Sequence, residues 1–194
     1  MNRLLTILVS LGAAWLLFSC ADERHTMERV LEQADRQNKA FDSITNVDSI
    51  ALAARYFDRS GTRNERMKAH YLLASAYRDM GDAPKALESF HDAADRADTT
   101  VRDCDYFLLS RVHGQIATLL KDMQLPYDAL KEYDLAERYS FKAKDSLMAW
   151  ASYSSKAFAY YLMDNHDSVI SISENAYMRL LHYDSLYALS CLKD

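Results

Sequence analysis

The feature that most constrains the fold is one pattern of small and large residues that occurs three times in the chain. The three copies align without gaps and occupy residues 77–93, 120–136 and 160–176. A small or β-branched residue (Ala86, Ala129, Val169) stands at the same place in each, 43 and then 40 residues apart. Recurrence at such a period is typical of proteins that stack one supersecondary unit.

The composition indicates that this unit is helical. The 194 residues include only 4 glycines and 2 prolines, which favours long helices with short connections over a many-stranded sheet. Thr62 and Glu65 have the spacing of an N-terminal capping box. Gly81 suits a helix end, and Pro84 and Pro126 suit first helical turns. The sequence therefore predicts an all-α fold, an α-solenoid of antiparallel helix pairs with long repeats of about 40 residues.

The same signals divide the chain into segments. Residues 27–66 are predicted to form a degenerate N-terminal helical pair that caps the array. Residues 67–194 are predicted to hold about three repeats and an unpaired final helix after Asp184. The long period is explained by added helical turns, with one helix predicted to run from Val101 to Met123.

The repeat resembles the tetratricopeptide repeat (TPR), in which a large residue occupies the fourth position of helix A and a small one lies on helix B. His70, His113 and Tyr153 match the first of these positions. The period exceeds the usual 34 residues. In the third repeat Lys156 stands where the first two repeats have Leu73 and Ile116.

The resemblance implies a ligand groove lined by the A helices. The matching positions that we single out are Lys68, Tyr71, Arg78, Arg111, Lys121, Phe158 and Tyr161. They form a basic stripe that leads to an aromatic patch, which would suit a protein or peptide partner with an acidic or C-terminal segment and one apolar anchor. The alternative is that these residues are merely solvated, with Phe158 and Tyr161 covered by a following repeat.

The N-terminus reads as a secretion signal. The apolar run from Leu4 to Phe18 follows Arg3 and, at roughly 15 residues, is shorter than the ~20 needed to cross a bilayer as a helix. Its end, Leu17–Phe18–Ser19–Cys20, resembles the lipobox of bacterial lipoproteins, although a smaller residue than Phe18 is usual there. The alternative is an ordinary signal peptide that happens to end near a cysteine.

The lipobox resemblance implies a signal peptide at residues 1–19 and a lipidated tether at residues 20–26. Cys20 would carry diacylglyceryl and a further acyl group such as palmitate, so that the lipid bilayer is a second partner. A TPR array behind a lipobox resembles TPR lipoproteins of the bacterial cell envelope. We therefore expect a membrane-anchored lipoprotein, at the outer membrane, on its periplasmic or surface face.

Apart from Cys20, the sequence shows no motif that indicates a catalytic, cofactor or metal site. The net charge of −5 disfavours a nucleic-acid partner. There is no glycine-rich phosphate loop, nucleophile elbow or H-E-x-x-H motif, so we expect no enzyme, cofactor or metal site. His91–Asp92 and His166–Asp167 are adjacent pairs, and adjacent residues on a helix do not face each other. Two functions remain: a non-catalytic interaction scaffold, or the N-terminal sensory region of a longer envelope signalling protein.

Overall fold

The computed structural model describes residues 22–191, with side chains described for residues 22–182. This part of the chain contains eight α-helices and no strand, which confirms the all-α prediction. The helices are α1 (residues 22–39), α2 (Val47–Ser60), α3 (Arg63–Asp79), α4 (Ala83–Asp95), α5 (Tyr106–Asp122), α6 (Pro126–Lys142), α7 (Ser146–Leu162) and α8 (His166–Cys191).

The helices stack in chain order, as predicted for an α-solenoid. Each helix from α2 to α7 packs against the next one along the chain. The pairs α3–α4, α5–α6 and α7–α8 are helices A and B of the three repeats. The A helices also contact each other, α3 with α5 and α5 with α7, so they form one continuous surface.

The repeated small residues lie where the helices approach most closely. Ala86 and Ala129 are completely buried, and Phe90 and Tyr133 are buried one helical turn further along. A larger side chain in place of either alanine would separate the helices, because protein interiors are close-packed. In α8 the residue that matches Phe90 is Ser173, which is exposed. The third repeat is therefore less completely packed than the other two.

Helix boundaries follow the capping signals where the sequence has them. The Thr62 hydroxyl accepts a hydrogen bond from the Glu65 amide at 3.3 Å, and the Glu65 carboxylate accepts one from the Thr62 amide at 2.7 Å. Pro84 lies in the first turn of α4, and Pro126 begins α6. Gly81, with φ at 77°, follows α3. These boundaries are as predicted.

The helix predicted from Val101 begins instead at Tyr106. Asp105 sets this start, because its carboxylate accepts a hydrogen bond from the Leu108 amide at 2.9 Å. The residues between α4 and α5 form a connection of turns. Part of the long period therefore comes from a loop and not, as predicted, from added helical turns at Val101.

The predicted unpaired helix after Asp184 is the C-terminal part of α8, which is a single helix from residue 166 to residue 191. No glycine or proline interrupts this stretch, so nothing in it ends the helix. At the other end, residues 22–26 of the predicted tether already belong to α1, and Arg63–Arg66 belong to the first repeat rather than to the capping pair.

The predicted signal peptide and Cys20 lie outside the described residues. Within the part that the structure describes, no helix has both the length and the apolar character that a membrane span requires.

Candidate binding groove

Three hollows follow one another along the A helices. The first, of about 280 Å³, lies between α1, α3 and α5; the second, of about 200 Å³, lies between α5 and α7. The third, of about 240 Å³, lies at the far ends of α5 and α7. We call this surface the groove; its lining includes Asn38, Phe41, Tyr71, Arg78, Arg111, Gln115, Lys121, Thr118, Ser155, Phe158 and Tyr161.

Arg111 stands between the first two hollows and lines both. Its guanidinium carbon lies 5.2 Å from the centre of the Tyr71 ring and 5.9 Å from that of Phe107. Stacking on aromatic rings holds an arginine in place while leaving its N–H groups available. Among the residues that the structure describes, no carboxylate forms an ion pair with Arg111. Within the described part of the chain it is a fixed positive charge without a neutralising partner.

Arg78, by contrast, is used within the fold. Its Nη1 donates to Oε1 of Gln115 at 2.8 Å, and its Nη2 donates to Oδ1 of Asn38 at 3.3 Å. The same guanidinium donates to Oδ1 of Asp79 at 2.8 Å, which neutralises its charge. Arg78 thus joins α1, α3 and α5 at the first hollow and has little capacity left for a ligand.

The two lysines of the predicted stripe are also neutralised. Lys68 lies outside the three hollows, with its Nζ 3.1 Å from Oδ2 of Asp35 on α1. Lys121 lies in the third hollow with its Nζ 2.8 Å from Oδ1 of Asp122, and this hydrogen bond raises the pKa of Lys121. The stripe is therefore much less basic than its residue types suggest.

Tyr71 forms the floor of the first hollow and is not an exposed contact. Only 1% of its surface is accessible, and its hydroxyl accepts a hydrogen bond from Nδ2 of Asn38 at 3.2 Å. Its ring also packs at 5.7 Å from that of Phe90 in the core. The sequence placed Tyr71 on the correct helix face, but the capping helix α1 covers it.

The aromatic patch at the far end of the groove is open. Phe158 and Tyr161 are 62% and 64% exposed, and α8 does not cover them. Lys121 lies 5.7 Å from the centre of the Phe158 ring. The possibility that a following repeat buries these two rings does not hold within the described residues.

The structure adds one groove residue that sequence reasoning missed. Phe41 lines the first hollow, is 98% exposed and has a φ of 58°, in the left-handed region. A bulky L-residue in this region is a genuine outlier and costs about 1–2 kcal/mol relative to ordinary backbone. Its only sequence signal was an aromatic residue inside a short polar connection, and periodicity does not detect that.

The buried histidines serve the packing of the helices. Nε2 of His70 lies 3.0 Å from Oδ2 of Asp58, and Nδ1 of His113 lies 2.6 Å from Oε2 of Glu132. Each pair joins neighbouring helices at the fourth position of helix A. Across residues 22–182, no group of three or more His, Cys, Asp or Glu side chains could hold a metal ion.

Comparison with known proteins supports the fold. No protein-family model matches the chain, and no curated protein matches it. Two crystal structures of nearly identical TPR-like repeats, from a Podosopora anserina protein described as a kinesin light chain and a variant of it, superpose with a TM-score of 0.63. Each is 15% identical, and the match covers 79% of this chain and 74% of that one.

The crystal structure of MamA is also similar, with a TM-score of 0.48 and 14% identity, over 80% of this chain and 89% of that one. The likeness to the TPR-like repeats, together with the stacked helix pairs, shows that the chain has an all-α TPR-like solenoid fold.

Proposed function

We propose that the chain is a non-catalytic scaffold whose groove binds a protein or peptide with an acidic group. Arg111 carries this proposal, because it is held in the groove by two rings and lacks an ion-pair partner among the described residues. A carboxylate of the partner, from an acidic side chain or a C-terminus, would form an ion pair with Arg111. A hydrogen bond to a charged group is worth roughly 1.5–3 kcal/mol.

The groove also offers apolar anchoring points for the same partner. Phe41 stands at the first hollow beside Arg111, and Phe158 and Tyr161 stand at the third. Aromatic and arginine side chains contribute a large share of the energy of protein interfaces. We therefore expect a segment with its acidic group at Arg111 and an apolar side chain against Phe41, extended along α5 toward Phe158.

We further propose that this scaffold is anchored to a membrane through acylated Cys20. The support is the lipobox-like ending of the apolar N-terminal run, since two or more acyl chains hold a protein stably on a bilayer. On this proposal residues 1–19 are removed and the protein acts in the bacterial cell envelope, at the outer membrane, facing the periplasm or the surface. Only Ala21 separates Cys20 from the described helix α1, so the array would lie close to the bilayer.

Site-specific photo-crosslinking in intact envelopes tests the groove. A photoreactive amino acid replaces Thr118, which lines the second hollow, or Arg55, an exposed residue of α2 outside the groove. The proposal predicts adducts with a discrete envelope protein from position 118 and none of that mass from position 55. Equal adducts from both positions, or none from position 118, would contradict it.

A further inference from the structure

Helix α8 presents apolar residues on two opposite faces. Ile172 and Ala176 are buried on the side of α8 that packs against α7. The opposite face carries four large apolar side chains that are 46% to 65% exposed: Ile170, Tyr177, Met178 and Leu181. At 100° per residue these four fall within a stripe about 100° wide, the width of an ordinary core-facing stripe. We call them the α8 stripe.

The register of the repeats indicates what covers such a stripe. In α6, Glu137 contacts Lys156 of α7 at 2.6 Å, and the ring of Phe141 lies 5.0 Å from that of Trp150 of α7. The residues of α8 that stand 40 positions after Glu137 and Phe141 are Tyr177 and Leu181, respectively. Tyr177 and Leu181 of the α8 stripe therefore occupy the places that contact the next helix one repeat earlier, which points to another helix as the occupant of the stripe.

The other end of the array does not offer a complementary surface. The outward face of α1 is polar, with Arg29, Glu32, Arg36 and Lys39 exposed. A polar outer face is what a terminal helix of a repeat array needs in order to remain in water. Head-to-tail stacking of copies would bury these charges against the α8 stripe, whereas the same stripe of a second copy would meet it with apolar side chains.

We propose that two copies of the chain associate through their α8 stripes, packed antiparallel about a two-fold axis. Such an interface closes on itself and yields a dimer, not a filament. Centring the axis between Glu174 and Tyr177 places Ile170 of one copy against Leu181 of the other. It also sets the Tyr177 hydroxyl opposite the Glu174 carboxylate, to which it can donate a hydrogen bond. From Ile170 to Leu181 the α8 stripe extends about 17 Å along the helix.

Thiol cross-linking tests this geometry in the full chain. Ile170→Cys and Leu181→Cys variants carry different affinity tags and a Cys191→Ser background, and a short bis-maleimide is applied to envelopes. Antiparallel packing predicts a cross-linked dimer when the two variants are expressed together, and much weaker products when either is expressed alone. Strong products from each variant alone, without the mixed product, would contradict the antiparallel arrangement.

Co-capture of two differently tagged copies tests the association itself. We expect Tyr177→Ser with Leu181→Ser to reduce co-capture at least tenfold, with helix content unchanged. Tyr161→Ser, which alters an equally exposed ring in the groove, should leave co-capture intact. Absence of co-capture in the wild type, or occupation of the stripe by a further repeat or by a different envelope protein, would overturn the proposal.

Discussion

The Nζ of Lys156 lies 2.6 Å from Oε2 of Glu137, inside a helix contact where the first two repeats have Leu73 and Ile116. Lys156 is only 9% exposed and also contacts Asp134. Burial lowers its pKa, but the hydrogen bonds with Asp134 and Glu137 outweigh burial, and the net shift is upward. The contact between α6 and α7 therefore depends on these carboxylates.

Glu137→Gln should lower the free energy of unfolding by about 1–3 kcal/mol, because a buried ammonium would lose its less exposed carboxylate partner. Urea denaturation of the wild type and the variant measures the change. Glu88→Gln, which alters an exposed carboxylate of α4, is the control and should change stability by less than about 0.5 kcal/mol. Equal effects of the two substitutions would show that the pair with Lys156 does not stabilise the contact.

Phe41→Gly should stabilise the protein and weaken its binding. Glycine removes the left-handed strain at a φ of 58° and should raise the free energy of unfolding by about 1 kcal/mol. It also removes the exposed ring beside Arg111, so partner capture should fall. Lys144→Gly, at a φ of 62° away from the groove, should stabilise similarly and leave capture unchanged. If Phe41→Gly also leaves capture unchanged, Phe41 is not an anchor.

Because of Asp58, the free energy of unfolding should decrease at acidic pH. Burial raises its pKa, but hydrogen bonds from Arg96 and His70 outweigh burial, so the folded pKa lies below the unfolded one. The unfolded chain then binds more protons, and this stabilisation is present above the unfolded pKa and lost as pH falls below about 4, through the folded pKa.

Urea denaturation at pH values from neutral to acid measures that dependence. Asp58→Asn should lower stability at neutral pH and flatten the decline in acid. Asp42→Asn, at an exposed carboxylate, should leave the decline as it is. A decline of the same steepness in Asp58→Asn and the wild type would contradict this assignment.

Cys20→Ala should release the protein from washed membranes, because the acyl chains would be lost. Quantitative fractionation measures the membrane-bound share, and mass spectrometry of the N-terminal peptide of the wild type identifies the modification. Cys104→Ala, at a buried free thiol, serves as the control. A Cys20→Ala protein that still fractionates fully with membranes would refute lipid anchoring.

The sequence predicted the helix pairs but not all of their ends. Gly81, which has a positive φ after α3, could be predicted as a helix end because glycine favours that conformation. Helices α5, α6 and α7 are also followed by a residue at positive φ, but these residues are Gln124, Lys144 and Asp164. After each of these residues an amide donates to a carbonyl five residues earlier, as from Asp145 to Ser140 at 2.9 Å. Backbone hydrogen bonds and packing thus replace glycine, and composition alone does not reveal this.

The groove was predictable only in part, for a related reason. Periodicity placed Arg111, Phe158 and Tyr161 on one face of the A helices. It could not show that Lys68 pairs with Asp35, because that contact depends on how α1 packs against α3. Charges on one helix face overstate the charge of a surface when a neighbouring helix supplies the counter-ions.

The most direct test of the proposed function is capture of the cross-linked envelope partner by Arg111→Glu and by Arg55→Glu. Both substitutions change the net charge equally, but only Arg111 lies in the groove. The account predicts at least a tenfold loss of capture for Arg111→Glu, roughly the 1.4 kcal/mol expected of one charge-assisted contact, and none for Arg55→Glu. Equal capture by both variants would contradict it.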